Sequence, residues 1–208
     1  MATQIHMTPR FVARQLSHPR GCWGRITGRL MNRRNAVMNA YAVELLGIKR
    51  SDRVLEVGFG GGVNLPLLIE EASFVTGVDA SPDVVNQART KYRDAMKEGR
   101  AAFHVGRAEA LPLRGMQYHK ACTVNTVYFW KSLDAGCSEL YRVLMPGGRL
   151  AVGFLPKAYM DRMKLPRDIF TSRTAGEMIQ ALELAGFKDV RVCRPRPSTA
   201  WNVLVAHR

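Results

Sequence analysis

The stretch Arg53-Val-Leu-Glu-Val-Gly-Phe-Gly-Gly-Gly62, followed by Phe74-Val-Thr-Gly-Val-Asp79, decides how this chain folds. Val54, Leu55 and Val57 make a short apolar run of strand length. The run stops at Gly58, Gly60 and Gly62, after which Leu65, Leu68 and Ile69 recur at helical spacing. A second apolar run begins at Phe74 and closes on Asp79, 21 residues beyond Gly58. Strand, glycine turn, helix and strand in this order form one βαβ unit, which needs parallel strands and a helix laid across them.

The same alternation continues on both sides. Ser81-Pro82-Asp83 is a helix start, with Ser at the N-cap and Pro at the first helical position. The spacing carries that helix towards Glu98, where Gly99 closes it. Residues 101–105 read as a third strand, and Ala121-Cys-Thr-Val124 as the centre of a fourth that ends at Asn125. A helix over 133–144 is stopped by Pro146-Gly147-Gly148, and 149–154 is a fifth strand. Thr174 opens a helix that Gly186 caps. Residues 190–193 and 200–206 are the last strands, joined through Arg194-Pro-Arg-Pro-Ser198 as a hairpin. Upstream, an amphipathic helix is expected from Leu30, carried by Val37, Tyr41 and Leu45 beside Met38, Ala42 and Leu46, with Gly47 as its C-cap. Strand–helix alternation predicts an α/β fold: a mostly parallel sheet with helices on both faces, right-handed crossovers and one antiparallel strand at the end.

The chain has 208 residues, within the range of one domain with a short appendage. Hydrophobic residues make up 47% and charged residues 23%, which argues against wholesale disorder. No apolar run approaches the roughly 18–20 residues of a membrane span, and the first thirty residues lack the apolar centre of a secretory signal. The charge is unusual, at +14. Residues 1–53 hold ten Lys and Arg against Glu44 and Asp52, a local excess of +8. Such a segment suits nucleic acid, an anionic membrane surface or an acidic substrate, and also a merely solvated arm. Its Arg-rich start suits a transit peptide too, although serine is scarce there. Cys22, Cys122, Cys137 and Cys193 form no C-x-x-C pair and no zinc spacing. Reduced thiols, a cytoplasmic setting and no metal are expected.

Ligands of open α/β sheets sit beyond the carboxyl ends of the strands, where the strand order reverses. Glycines after the first strand let a ligand approach the backbone. A carboxylate at the end of the second strand can accept both hydroxyls of a ribose. Together, Gly58–Gly62 and Asp79 predict an adenosine-containing cofactor. The dinucleotide fingerprint would need a third small residue where Val63 stands. Glu56, two residues before the first glycine, disfavours a pyrophosphate and tolerates a cation. Both features weigh against a nicotinamide oxidoreductase.

Val54-Leu-Glu-Val-Gly-Phe-Gly-Gly-Gly62 resembles motif I of the class I S-adenosylmethionine-dependent methyltransferases. Gly77-Val-Asp-Ala-Ser81 resembles their second motif, and Ala108-Glu-Ala-Leu-Pro112 the segment after strand three. Glu139-Leu-Tyr-Arg-Val-Leu-Met-Pro-Gly-Gly-Arg-Leu150 resembles the helix and turn before strand five. The resemblance spans roughly residues 50–205 and is nearest to the small-molecule type that includes the ubiquinone and menaquinone methyltransferases. It implies a Rossmann-like, seven-stranded sheet over residues 51–208, with residues 1–50 as a basic segment and substrate lid. It implies S-adenosylmethionine as cofactor, with Glu56, Gly58, Gly60 and Gly62 at its methionine end and Asp79 on the ribose. Ala80, Ala108 and Glu109 would flank the adenine, although Arg107 stands where the family often has an acid. Asn125 would lie near the sulfonium, and Asn125 and Tyr128 are the candidate catalytic residues.

Methyl transfer from a sulfonium asks mainly for proximity, alignment and exclusion of water, so a missing base is no argument against activity. Tyr128, Phe129 and Trp130 would hold a flat acceptor or a cation, or pack beneath the next helix. Residues 156–170 mix Met, Tyr, Lys and Arg, which suits an apolar acceptor carrying an anionic group. The expected reaction is methyl transfer to a small organic acceptor. An RNA methyltransferase docking through its basic segment and a non-catalytic module of the same fold are the alternatives.

Overall fold

The computed structural model describes residues 36–163 and 165–208. The arginines from Arg10 to Arg34, Cys22 and the start of the first helix lie outside the described residues. The first described helix, α1, covers 36–46, and Gly47 follows it at φ +58° as a left-handed cap. Then come β1 (Arg53–Val57), α2 (Leu65–Glu71), β2 (Phe74–Asp79), α3 (Pro82–Lys91), α4 (Arg93–Lys97) and β3 (Ala101–Val105). The second half holds β4 (Tyr118–Val124), α5 (Leu133–Val143), β5 (Leu144–Phe154), α6 (Lys157–Arg162), α7 (Ala175–Leu184), β6 (Lys188–Cys193) and β7 (Asn202–His207).

The seven strands form one sheet in the order β3-β2-β1-β4-β5-β7-β6. All described pairings are parallel except those of β7, which runs antiparallel to both β5 and β6. The order reverses at β1, which has β2 on one side and β4 on the other. Helices cover both faces because successive strand residues point to opposite sides. Val54, Cys122, Ala151 and Val205 pack with Met38, Leu46, Leu68 and Val85 on one face. Leu55, Ala121, Leu150 and Leu204 pack with Leu140, Val143, Met178 and Leu182 on the other. The expected fold is what the chain adopts.

The last two strands are offset by one or two residues from the expected 190–193 and 200–206, and three further boundaries differ for a visible reason. The helix begun at Ser81 does not run unbroken to Glu98: it breaks at Tyr92, whose ring lies 5.7 Å from that of Phe103. The fourth strand starts earlier, at Tyr118, because His119 takes the Arg53 N–H on Nδ1 at 3.0 Å and so continues the edge of β1. Pro146-Gly147-Gly148 does not separate helix from strand. It is an irregularity inside β5, whose Leu144 pairs with Tyr118 before the register resumes at Arg149 opposite Lys120.

Gly77 shows how tightly the sheet supports the loop after β1. A Cβ there would come within 2.8 Å of Phe103 and 2.9 Å of Phe59, two rings packed edge to face. Gly77→Ala therefore overpacks the seat of Phe59, and a loss of about 1–3 kcal/mol is expected in urea unfolding.

Candidate functional site

The site is built on the carboxyl ends of β1, β2, β3 and β4. After Val57 the backbone enters left-handed geometry three times, at Gly58 (φ +71°), Gly60 (φ +50°) and Gly62 (φ +68°). The Gly58 N–H donates to the Val78 carbonyl at 2.7 Å, and the Gly62 N–H to the Phe59 carbonyl at 2.8 Å. Gly58 is required twice over, since a Cβ there would stand 2.2 Å from Cγ2 of Thr126. Among the described residues nothing lies within 4 Å of the Cβ position at Gly60, so the loop is open there towards a ligand.

Asp79 fastens this loop. Its Oδ2 accepts from the Gly60 N–H at 2.9 Å and its Oδ1 from the Ser81 N–H at 2.9 Å. The Gly106 N–H donates to the Asp79 carbonyl at 3.0 Å, which ties in the end of β3. Ser81 in turn caps α3 through the Val84 N–H. Ala80 is half-buried beside these contacts.

Glu56 is the second carboxyl and is only 4% exposed. Its Oε1 accepts from Nδ2 of Asn64 at 2.8 Å, and its Oε2 is buried with no hydrogen-bond partner among the described residues. Burial pushes its pKa up to about 8; the Asn64 bond opposes that rise and neighbouring Asp79 adds to it. The second N–H of Asn64 donates to Oδ1 of Asn39 on α1 at 2.9 Å, so the relay runs from the N-terminal helix to the carboxyl. Sequence reasoning missed Asn39 and Asn64. The available signal was a polar residue directly ahead of the helix that follows the glycines.

At the end of β4, Asn125 adopts φ +59° and its N–H donates to the Gly153 carbonyl at 2.8 Å. The Tyr128 hydroxyl donates to Oδ1 of Asn125 at 3.1 Å and accepts from the Leu155 N–H. Tyr128 is 4% exposed, and its burial raises the phenol pKa well above its ordinary value. Phe129 lies beside it, with its ring 5.0 Å from Phe170. Trp130 packs in the core, where Gly136 leaves room for its ring.

Ala108 is buried, and Glu109 accepts from the Lys131 N–H on Oε1 at 2.5 Å while facing Arg107 at 3.7 Å. The structure thus joins Gly60 to Asp79 directly and sets Glu56, Gly58 and Gly62 on the same strand and loop. It sets Asn125 and Tyr128 next to them through Thr126, and brings in Ala108 and Glu109 through Gly106.

An open glycine loop and a buried carboxyl with an unused oxygen fit a ligand that brings a positive charge. The methyltransferase domain family matches residues 54–148. A methyltransferase of Bacillus subtilis, YdaC, is 29% identical over 169 residues, covering 80% of this chain and 88% of that one. The demethylmenaquinone methyltransferase of Chlorobaculum parvum is 32% identical over 143 residues, covering 68% of this chain and 50% of that protein. The chain belongs to the class I S-adenosylmethionine-dependent methyltransferases. Its cofactor is S-adenosylmethionine. The S-adenosylmethionine-dependent methyltransferase of Mesorhizobium loti has the same fold, with a TM-score of 0.67 at 17% identity over 81% of this chain and 96% of that one. The chain spans about half the length of the menaquinone-type relative.

The Gly58–Thr126 contact gives a test of the loop. Gly58→Ala is expected to remove S-adenosylhomocysteine binding in calorimetry, since it adds both a strained φ and a clash. Adding Thr126→Ser, which deletes the clashing methyl, should recover part of the affinity, and only the strain would remain.

Proposed function

We propose that this methyltransferase passes the methyl group of S-adenosylmethionine to a small organic acceptor. The observation that carries the reading is the pairing of an open, Asp79-fastened glycine loop with the buried, half-satisfied Glu56. S-adenosylmethionine supplies, when bound, a methyl group on a cationic sulfonium, ready for in-line displacement. Gly58, Gly60 and Gly62 let the backbone meet its methionine end, and Glu56 offers its unused oxygen to a cationic group there. Asp79, which accepts from Gly60 and Ser81, stands at the end of β2 where the ribose hydroxyls would be held. Ala80, Ala108 and Glu109 border the adenine side.

Asn125 faces the reacting end, and Tyr128 acts through it. The Tyr128 hydroxyl is buried and already uses its proton on Asn125, so it serves as a positioning residue and not as a base. Phe129 and Phe170 supply an apolar wall suited to a flat or aliphatic acceptor. Residues 1–50 act as the substrate lid, a role supported by the Asn39–Asn64–Glu56 relay that joins α1 to the loop. A small acceptor is favoured over RNA by that apolar wall. Among the described residues no helix is long and apolar enough to cross a membrane. We place the reaction in the cytoplasm on the unpaired thiols Cys122, Cys137 and Cys193.

The experiment is an acceptor screen with radiolabelled S-adenosylmethionine, run beside a salt titration of RNA binding. Methyl transfer to a small apolar acceptor supports the reading; transfer to RNA with a steep salt dependence overturns it.

Two outcomes follow from the site chemistry. If Glu56 meets a cation, ligand binding must deprotonate it. S-adenosylhomocysteine affinity should then rise between pH 6 and 8 by up to about tenfold per unit and level off above the pKa of about 8. In Glu56→Gln that rise should vanish. The sign reverses for the ligand-free protein. Its Glu56 pKa lies above the unfolded value, so its contribution to stability falls as pH rises from about 4.5 to 8, relative to Glu56→Gln. For Tyr128→Phe, kcat should drop about 10–100-fold with the cofactor affinity held within a few-fold, because Asn125 loses its anchor and the Leu155 N–H its acceptor while the glycine loop keeps its bonds.

A further inference from the structure

We propose that the base of the sheet, at the end opposite the glycine loop, holds a binding site for a linear oligophosphate anion, formed by Lys120, Arg149 and Lys188 with Lys49 and Arg191 at its margins. This inference is independent of the methyl acceptor.

The site follows from strand register. Lys120 on β4 stands opposite Arg149 on β5, Arg149 opposite His207 on β7, and His207 opposite Lys188 on β6. Residues opposite each other leave the same face of a sheet. Four nitrogen-bearing side chains from four adjacent strands therefore stand in one row, about 14 Å long at a strand spacing of about 4.8 Å. A bulge at Asp189 (φ +51°) sets three residues of β6 against two of β7, which brings Arg191, opposite Val205, onto the same face as Lys188. The row lies just past the end of α1. There Arg149 Nη1 donates to the Leu45 carbonyl at 3.1 Å, and its Nε donates to Nε2 of His207 at 3.1 Å.

Like charges set opposite each other in a sheet repel. Here Asp52 and Asp189 are nearby, but among the described residues neither forms an ion pair with Lys120, Arg149, Lys188 or Arg191. Lys120 is half-buried, and burial lowers its pKa; Asp52 opposes that shift, while Arg149 and Lys49 add to it. Burial also lowers the pKa of His207, helped by Arg149, Lys120 and Arg191 and opposed by Asp189. Asp52 is 6% exposed and its Oδ2 already accepts the Lys49 N–H at 2.8 Å. Among the described residues, the side chains of Lys120, Lys188 and Arg191 form no hydrogen bond or ion pair, and Arg149 Nη2 has no partner.

The ligand chemistry follows from the shape. Ammonium groups and a guanidinium fork in one line suit successive phosphoryl groups. No Phe, Tyr or Trp stands in the row, and its one ring, the small imidazole of His207, is tied to Arg149 Nε, so the row lacks the stacking platform that a site for single-stranded nucleic acid would require. Lys120 lies four residues before Val124 on β4, about 13 Å down the strand from the reacting end, so the row is separate from the methyl-transfer site.

The test titrates the full chain with sodium tripolyphosphate at constant ionic strength and follows melting in parallel. The Lys120→Gln/Lys188→Gln variant should bind at least tenfold more weakly. The charge-matched Arg93→Gln/Lys97→Gln variant on α4 should bind as the wild type does. Without anion, the row variant should melt at a higher temperature than the wild type, because repulsion is relieved; S-adenosylhomocysteine affinity should be unchanged. Equal loss in both variants, no binding by the wild type, or a row variant that melts lower would overturn the proposal. So would an oligonucleotide that binds where tripolyphosphate does not, which would make the row a nucleic-acid contact.

Discussion

Everything at the ligand end of this protein hangs on the Asp79 carboxylate and the two backbone N–H groups it accepts, from Gly60 and Ser81. A buried carboxylate left without donors would be too costly to keep. Here the donors come from the chain itself, and each belongs to a different segment. Gly60 sits in the loop after β1, Ser81 caps α3, and the Asp79 carbonyl takes the Gly106 N–H at the end of β3. One residue thus holds three connections in register, two through its carboxylate and one through its carbonyl, around the place where the strand order reverses. The glycines can adopt their left-handed geometry there because hydrogen bonds define it from both sides.

The second carboxyl is treated in the opposite way. Glu56 receives one side-chain donor and is otherwise buried, so its charged form is disfavoured until a ligand brings a positive charge. Two carboxyls near each other in a partly closed site select for a cation without any contact to the methyl group. The same arrangement weakens the ligand-free protein as pH rises from about 4.5 to 8, a local cost that a binding site can carry when the rest of the core is well packed. Because Asn64 bonds both Glu56 and Asn39, the state of the carboxyl is linked physically to the helix that leads in from the basic N-terminal segment.

Charge is distributed along the strand axis. Carboxyls gather at the carboxyl ends of the parallel strands, and the cations stand in a row that crosses β4 near its amino end and β5 at its middle. The sheet separates them by the length of a strand, so one end can serve a cationic cofactor and the other an anion without mutual interference. The short β7 makes the row possible. Running antiparallel between β5 and β6, it places His207 beside Arg149 and Lys188.

The order of strands and helices was legible in the chain because hydrophobic period, glycine and proline act locally. β1 and β3 begin and end where the apolar runs do, and Ser81, Gly47 and Gly186 cap as their chemistry dictates. Glu56, the glycine loop and Asp79 were legible for the same reason, since a ligand loop between a strand and a helix has a fixed spacing. Other features depended on contacts between segments far apart in sequence. Tyr92 breaks its helix because Phe103 is beneath it, β4 starts at Tyr118 because β1 offers His119 a donor, and Tyr128 became an anchor when Leu155 and Asn125 met its hydroxyl. The Asn39–Asn64 bond and the cation row have no local signature that names both partners. Their residues are 25 to 104 positions from some of their partners, and only the register of the sheet and the docking of α1 bring them together.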